Sequence, residues 1–83
     1  MPKSIDEKVT VQARTHGHRI VPIQITWRKK NYLVGEVKQR RVIRAQGGKV
    51  EEMKVSVIAW KHMLLEYDHG KQLWTLLTVE SDE

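Results

Sequence analysis

Between residues 21 and 28 the chain alternates apolar and polar side chains, and this pattern constrains the fold more than any other feature. A period of two belongs to a β-strand, whose successive side chains point to opposite faces, and not to an amphipathic helix. Pro22 has no N–H to donate, so we expect this strand to begin there or to lie at a sheet edge. The apolar side chains predicted to share its buried face are Val21, Ile23, Ile25 and Trp27.

Other β-type runs lie on both sides of this strand, separated by turn signals at intervals of about 8–12 residues. The sequence therefore predicts an all-β fold, a small antiparallel barrel or strongly curled meander of five to six strands. We expect a single domain over residues 1–83, with residues 1–7 and 80–83 frayed. The predicted strands lie near residues 9–12 and over residues 21–28, 32–43, 53–60, 62–67 and 72–79.

Two stretches are harder to interpret. Residues 53–66 fit helical spacing as well as strand alternation, but their β-branched residues and the lack of a helix start signal favour two strands. In the run from Tyr32 to Ile43, alternation places Leu33 and Val37 on the face opposite Tyr32. The adjacent Val42 and Ile43 break this alternation, so we predict a β-bulge near residues 39–41.

Composition excludes several classes of protein. The chain has no cysteine, so disulfides, thiolate metal sites and thiol nucleophiles are excluded. No apolar run approaches the roughly 18 residues that span a bilayer, and residues 1–8 do not resemble a secretory signal. We therefore expect a cytoplasmic protein with no membrane contact.

The positive charge is concentrated in the middle of the chain. The net charge is +5, and residues 28–44 carry seven Lys and Arg against one acid, Glu36. Residues 45–83 carry more acids than bases. Such a segment is typical either of a surface that binds phosphates or of a solvated strand face on which Lys and Arg block edge pairing.

Residues from about Ile5 to Val79 resemble a small family of bacterial and archaeal β domains of unknown function. The resemblance lies in the run Pro-Ile-Gln-Ile-Thr-Trp-Arg-Lys-Lys-Asn-Tyr-Leu-Val-Gly-Glu-Val over residues 22–37 and in Leu-Leu-Glu-Tyr-Asp, a glycine and Trp-Thr-Leu over residues 64–76. The turn glycine that usually follows Trp-Arg in that family is absent, and Arg-Arg-Val-Ile at residues 40–43 replaces a more aromatic stretch. The family occurs alone or as a tail of proteins related to Y-family DNA polymerases. The resemblance thus implies a β fold and an association with DNA repair or replication, but no catalytic residue.

The basic segment supplies the candidate binding site. We predict weak, mostly sequence-nonspecific nucleic-acid binding by a hairpin that gathers these cations on one surface, with exposed aromatic rings as stacking platforms. Lys38, Arg40 and Arg44 share a strand face if no bulge intervenes. The prediction fails if the cations point to unrelated sides or are neutralised by acids of the C-terminal half. The candidate residues are Arg28, Lys29, Lys30, Tyr32, Lys38, Arg40, Arg41, Arg44 and Trp60.

The aromatic and histidine residues each have a simpler interpretation. Trp27 closes an apolar face and belongs to the predicted core, whereas Tyr32 and Trp60 are better candidates for exposure, although a core role stays open for each tryptophan. His16 and His18 lie on one side of an extended chain, but nothing in the spacing selects further ligands, so we predict no metal site.

No arrangement of residues indicates catalysis or a cofactor. No serine lies in a nucleophile elbow, and no glycine-rich phosphate loop occurs. We therefore predict a non-catalytic binding module without a cofactor, with nucleic acid as its partner. The alternative is a protein-interaction adapter that uses the same surface for an acidic protein or receives a strand at an open sheet edge. The sequence leaves the oligomeric state open.

Overall fold

The chain forms a closed antiparallel barrel in which each strand pairs with the next and the last returns to the first. The computed structural model describes residues 3–17, 19–45, 48–58 and 60–80. The predicted all-β class and the small closed barrel are confirmed. The strands are β1 Lys3–His16, β2 Arg19–Trp27, β3 Lys30–Ala45, β4 Gly48–Val57, β5 Trp60–Asp68 and β6 Leu73–Glu80.

Within the stretch that fitted both helix and strand, residues 53–57 belong to β4 and residues 60–66 belong to β5. The turn between these strands follows Val57, which lies earlier than the predicted break near Lys61. The N-terminal segment is ordered into β1 from Lys3 onwards, where Lys3 pairs with Val79 of β6, instead of fraying through residue 7. At the other end of the chain, β6 includes Glu80, and residues 81–83 lie outside the described residues.

Because neighbouring strands are antiparallel, consecutive turns lie at opposite ends of the barrel and alternate turns lie at the same end. The β1–β2, β3–β4 and β5–β6 turns share one end, which we call the odd-turn end. The β2–β3 and β4–β5 turns share the other, the even-turn end, together with Lys3 and Glu80. Residues far apart in sequence are therefore brought to the same end by the order of the turns.

Bulges decide which side chains of β3 reach the core. The β3–β4 register shifts between Val34 and Glu36 and again between Val37 and Gln39. The second shift lies N-terminal to the bulge predicted near residues 39–41. The first shift moves Val37 onto the face of Val34, and both pack against the core. The predicted separation of Tyr32 and Val37 onto opposite faces is therefore wrong. The buried core comprises Ile25, Trp27, Met53, Val55, Val57, Met63, Leu65, Trp74, Leu76 and Val79.

A bulge in β2 likewise splits the apolar face predicted there. Gln12 pairs with Gln24 while Ala13 pairs with Pro22, so Ile23 is an extra residue. Of the four apolar side chains predicted to share a face, Ile25 and Trp27 belong to the buried core. Pro22 is also fully buried, inside the strand and beside the bulge, which is a position where proline is tolerated.

Strands β2 and β3 pair over a short stretch only, from Trp27–Lys30 to Gln24–Leu33. Beyond this ladder β2 continues with β1, while β3 continues with β4 as a long hairpin. The two hairpins therefore diverge towards the odd-turn end. We call the divergence between residues 19–23 of β2 and residues 34–45 of β3 the β2–β3 seam.

Candidate nucleic-acid interface

The structure does not gather the predicted basic residues on one surface. Arg28 and Lys29 form the turn that precedes β3, at the even-turn end, whereas Arg44 lies near the opposite end of this 16-residue strand. The bulge at Lys38 separates Lys38 from the face that Arg40 and Arg44 share, because the β3–β4 register is uninterrupted from Gln39 to Ala45. The basic segment is therefore divided between the two ends and the side of the barrel.

Four of its seven cations form ion pairs with acids. Arg28 Nη2 lies 2.5 Å from Glu7 Oε2, and Lys38 Nζ lies 2.5 Å from Glu36 Oε1. The other two pairs join β3 to β4, from Arg40 to Glu51 and from Arg41 to Glu52. Hydrogen bonds from Arg28 and then from the Trp27 ring lower the pKa of Glu7, and a hydrogen bond from Lys38 lowers the pKa of Glu36. These four charges are therefore partly neutralised within the protein.

Arg40 closes the β2–β3 seam. Its register partner is the buried Met53, so its side chain points to the core side of the sheet. Arg40 Nη1 donates to Glu51 Oε2 at 2.7 Å, and Nη2 donates across the seam to the carbonyl of Ile20 at 2.9 Å. Arg40 thus ties β2, β3 and β4 together where the β2–β3 ladder is missing, and the geometry gives it a structural role.

Glu51 is the buried charge of the barrel, with only 7% of its side chain exposed. Its second oxygen, Oε1, lies 3.0 Å from His69 Nε2, and the His69 ring meets the Tyr67 ring edge-on. Burial raises the pKa of Glu51, but the hydrogen bonds from His69 and Arg40 outweigh burial, so the net shift is downward. The carboxylate is therefore held ionised by its partners inside the odd-turn end.

Arg41 points the other way, to the outer surface, with 72% of its side chain exposed. Its Nη2 donates to Glu52 Oε1 at 2.8 Å across the β3–β4 ladder. An exposed pair of this kind is weak and is screened by salt, so Arg41 remains accessible to solvent ions.

The odd-turn end carries five further cations, on the diverging β1–β2 and β3–β4 hairpins and on the β5–β6 turn, and we call these residues together the odd-turn surface. Its five residues form no ion pair with any residue that the structure describes, and all except the half-buried Lys49 are exposed. Arg44 and Lys49 are direct register partners on β3 and β4, a juxtaposition of like charges that disfavours pairing. The five residues are Arg14, Arg19, Arg44, Lys49 and Lys71.

The acids at this end leave the odd-turn surface positive. The Asp68 side chain accepts hydrogen bonds from the backbone N–H groups of Gly70 and Lys71 and fixes the β5–β6 turn. Glu51 is buried and paired with Arg40. Among the residues that the structure describes here, five cations without an ion-pair partner and Arg40 stand against these two carboxylates, so the described surface has a net positive charge.

Of the odd-turn surface, sequence reasoning found only Arg44. Arg14, Arg19, Lys49 and Lys71 were missed because charges were grouped by nearness in sequence. Alternate turns of a meander barrel lie at one end, so the charges of the first, third and fifth turns have to be counted together. That count needs only the predicted strand order, and it would have identified this surface.

The remaining candidates lie at the even-turn end. Lys29 and Lys30 are exposed, and neither forms an ion pair within the described part of the chain. Tyr32 is half-buried, with its ring centroid 6.1 Å from that of Trp27, and packs against the core. The backbone of Trp60 pairs with Val57 at this end, while its side chain lies outside the described residues.

Neither a metal centre nor a membrane-spanning helix is found in the described part of the molecule. Over residues 3–17, 19–45, 48–58 and 60–80, no three His, Asp or Glu side chains come together as metal ligands would. His18, one of the two histidines considered for such a site, lies outside these ranges. Across the same ranges no helix has the length and apolar character needed to cross a membrane.

Comparisons with known proteins do not place the chain in a family. No protein-family model, no curated protein and no solved structure matches it.

Proposed function

We propose that the protein is a non-catalytic module that binds the phosphate backbone of nucleic acid through the odd-turn surface. The observation that carries the proposal is the presence at one end of the barrel of five cations without an ion-pair partner among the described residues, including the opposed pair Arg44 and Lys49. An anion bound between like charges relieves their repulsion, so this pair is better satisfied in a complex than alone. The resemblance to domains associated with DNA polymerases favours the same class of ligand.

The geometry favours binding without sequence preference. Flexible Lys and Arg side chains on hairpin ends suit phosphate oxygens, which carry no sequence information, whereas base readout needs a helix or ribbon that fits a groove. Each phosphate neutralised by a cation releases counterions, so affinity falls as salt rises. Five contacts predict a slope of log K against log salt of about −4.5 for duplex and about −3.5 for single strands.

The proposal is tested by titrating single- and double-stranded oligonucleotides into the protein over a series of salt concentrations. In the Arg44→Gln/Lys49→Gln variant we expect weaker binding to every sequence and a slope that is smaller by about 2. The variant Lys8→Gln/Lys29→Gln loses the same charge at exposed positions outside the odd-turn surface and serves as the matched control. Absence of binding at low salt, or equal losses in the two variants, would contradict the proposal.

A second candidate function is the protein-interaction adapter, favoured by an exposed apolar pair at the even-turn end. Ile58 and Leu33 are 79% and 53% exposed, and the N–H of Ile58 donates to the carbonyl of Leu33. Contact with a protein partner would remove this surface from water. The adapter predicts that partners captured by the wild type persist after nuclease treatment and are lost with Leu33→Ser/Ile58→Ser, while oligonucleotides fail to bind.

A further inference from the structure

The even-turn end of the barrel contains a pocket of about 280 Å³ that combines cations with aromatic rings. Lys3, Arg28 and Lys30 supply the charges, Trp27 and Tyr32 supply the rings, and Ile5 contributes an apolar wall. This volume lies just below the range of about 300–1,000 Å³ typical of small-molecule sites, so the pocket fits a ligand of a few rings at most. We call it the mouth pocket.

Strand register explains why these side chains converge. Residues that face each other across a ladder project from the same side of the sheet. Lys30 pairs with the buried Trp27, Tyr32 with the buried Ile25, and Lys3 with Val79. Each therefore points to the inner side of the barrel at its rim, although nothing in the sequence places Lys3 beside Lys30.

The turn that supplies Arg28 is held in an unfavourable backbone conformation. Arg28 and Lys29 have φ values of 52° and 65°, both in the left-handed region. A two-residue hairpin with both φ values positive is a type I′ turn, which favours Asn-Gly because side chains with a Cβ are strained there. Arg and Lys make this turn less stable than Asn-Gly would, and they add two positive charges to it. Backbone strain of this kind is typical of functional sites.

The acid beside the pocket does not cancel its charge. Glu7 accepts from the Trp27 indole N–H at 3.0 Å and from Arg28, whose guanidinium lies 4.7 Å from the centre of the Trp27 ring. These contacts fix Arg28 over the tryptophan. Lys3 and Lys30 form no ion pair within the described part of the chain. The rim therefore keeps two unpaired cations beside the half-buried Tyr32 ring.

We propose that the mouth pocket binds an aromatic ring that carries a phosphate, as in a nucleoside monophosphate. The ring stacks against Tyr32, since an aromatic face accepts any nucleobase, and the phosphate lies between Lys3 and Lys30. Free nucleotides and the phosphorylated end of a single strand share this chemistry. The site is separate from the odd-turn surface and does not depend on it.

Calorimetric titration and two-dimensional NMR test the proposal with five probes: adenosine 5′-monophosphate, adenosine, inorganic phosphate, and a short oligonucleotide with and without a 5′-phosphate. We expect the monophosphate to bind more tightly than adenosine or phosphate and to shift the Tyr32 resonances. The ligand is a free nucleotide if the oligonucleotide binds no better with its phosphate than without it. The ligand is the end of a strand if the phosphate strengthens binding of the oligonucleotide. Equal or absent binding of monophosphate, adenosine and phosphate overturns the proposal.

Variants of Lys30 and Tyr32 test separately which residue binds the phosphate and which contacts the ring of the ligand. Lys30→Gln should weaken monophosphate binding about tenfold, because one charged hydrogen bond is lost. The change Lys8→Gln, at an exposed lysine of β1 outside both proposed sites, should leave it unchanged. Tyr32→Leu should weaken binding about 5- to 100-fold through lost stacking, and Tyr32→Phe should retain it. Because Tyr32 touches the core, Tyr32→Phe and Lys30→Gln keep the test valid if Tyr32→Leu unfolds. Equal losses in Lys30→Gln and Lys8→Gln overturn the assignment.

Discussion

Arg40 and Arg41 are neighbours on β3 with opposite environments, and replacing each with methionine separates a structural arginine from a surface one. Arg40 pairs with the buried Glu51 and crosses the β2–β3 seam to Ile20, whereas Arg41 pairs with Glu52 on the outer face. Methionine keeps much of the apolar stem of arginine and removes the charge. The two variants therefore differ mainly in what the lost guanidinium contacted.

The losses in the free energy of unfolding that we expect for the two variants differ severalfold. Arg40→Met leaves the Glu51 carboxylate buried with one partner fewer and the Ile20 carbonyl without its donor, and removal of one member of a buried pair costs about 3–5 kcal/mol. Arg41→Met breaks an exposed pair worth about 0–1 kcal/mol. An 83-residue domain has a total stability of about 4–12 kcal/mol, so the first change removes a large share of it.

Thermal unfolding followed by circular dichroism measures this difference. At about 4–8 °C per kcal/mol for a domain of this size, Arg40→Met should lower Tm by about 12–40 °C and Arg41→Met by less than about 8 °C. The double variant Arg40→Met/Glu51→Met should recover part of the loss, because it no longer buries an unpaired carboxylate. Similar Tm values for the two single variants would refute the assignment of Arg40 to the seam.

Three further changes test other parts of the structure. Lys29→Gly removes a Cβ from a left-handed position and should raise the free energy of unfolding by about 1 kcal/mol in a urea titration; a loss of stability would contradict the strained turn. Gly35→Ala places a Cβ 2.8 Å from Ser56 Oγ, the acceptor of a backbone hydrogen bond, and should cost about 1 kcal/mol. Adding Ser56→Ala should make the Gly35 change nearly neutral, which the same titration can check. Because the pKa of Glu51 is lowered in the folded state, its stabilisation is complete above the ordinary carboxyl pKa and is lost as pH falls through the folded value. Stability measured from pH 7 to pH 3 should therefore fall more steeply in the wild type than in Glu51→Gln, and parallel curves would contradict this.

The fold class could be predicted because it depends on features that the sequence states directly. Period-two alternation and regularly spaced turn residues indicate short antiparallel strands whatever their exact register. β-Branched residues correctly favoured strands over a helix for residues 53–66. Closure into a barrel followed from the need of a small sheet to hide its edges.

The faces of individual strands could not be predicted, because one extra residue reverses the alternation beyond it. Val37 was placed opposite Tyr32, and the bulge near Gly35 put it on the same side. A bulge is selected by how two strands fit together over their length, and local alternation does not record this fit.

Only part of the candidate interface could be predicted, because it also depends on strand register. The sequence identified the basic segment, but the acids that neutralise Arg40 and Arg41 come from β4, and their register could not be known in advance. Arg44 was found, and its partner Lys49 was missed because the chain turns between them. The mouth pocket depends on Lys3 meeting β6, a contact between the two ends of the chain.

The even-turn end also determines which surface of the barrel stays accessible when the protein is attached to a tag or a support. Lys3 and Glu80 both lie at this end, beside the mouth pocket. A tag, a tether or a solid support attached through either terminus therefore leaves Arg14, Arg19 and Arg44 facing outward, on the far pole of the barrel. Immobilised protein should keep its affinity for long nucleic acids while access of ligands to the mouth pocket becomes sensitive to linker length.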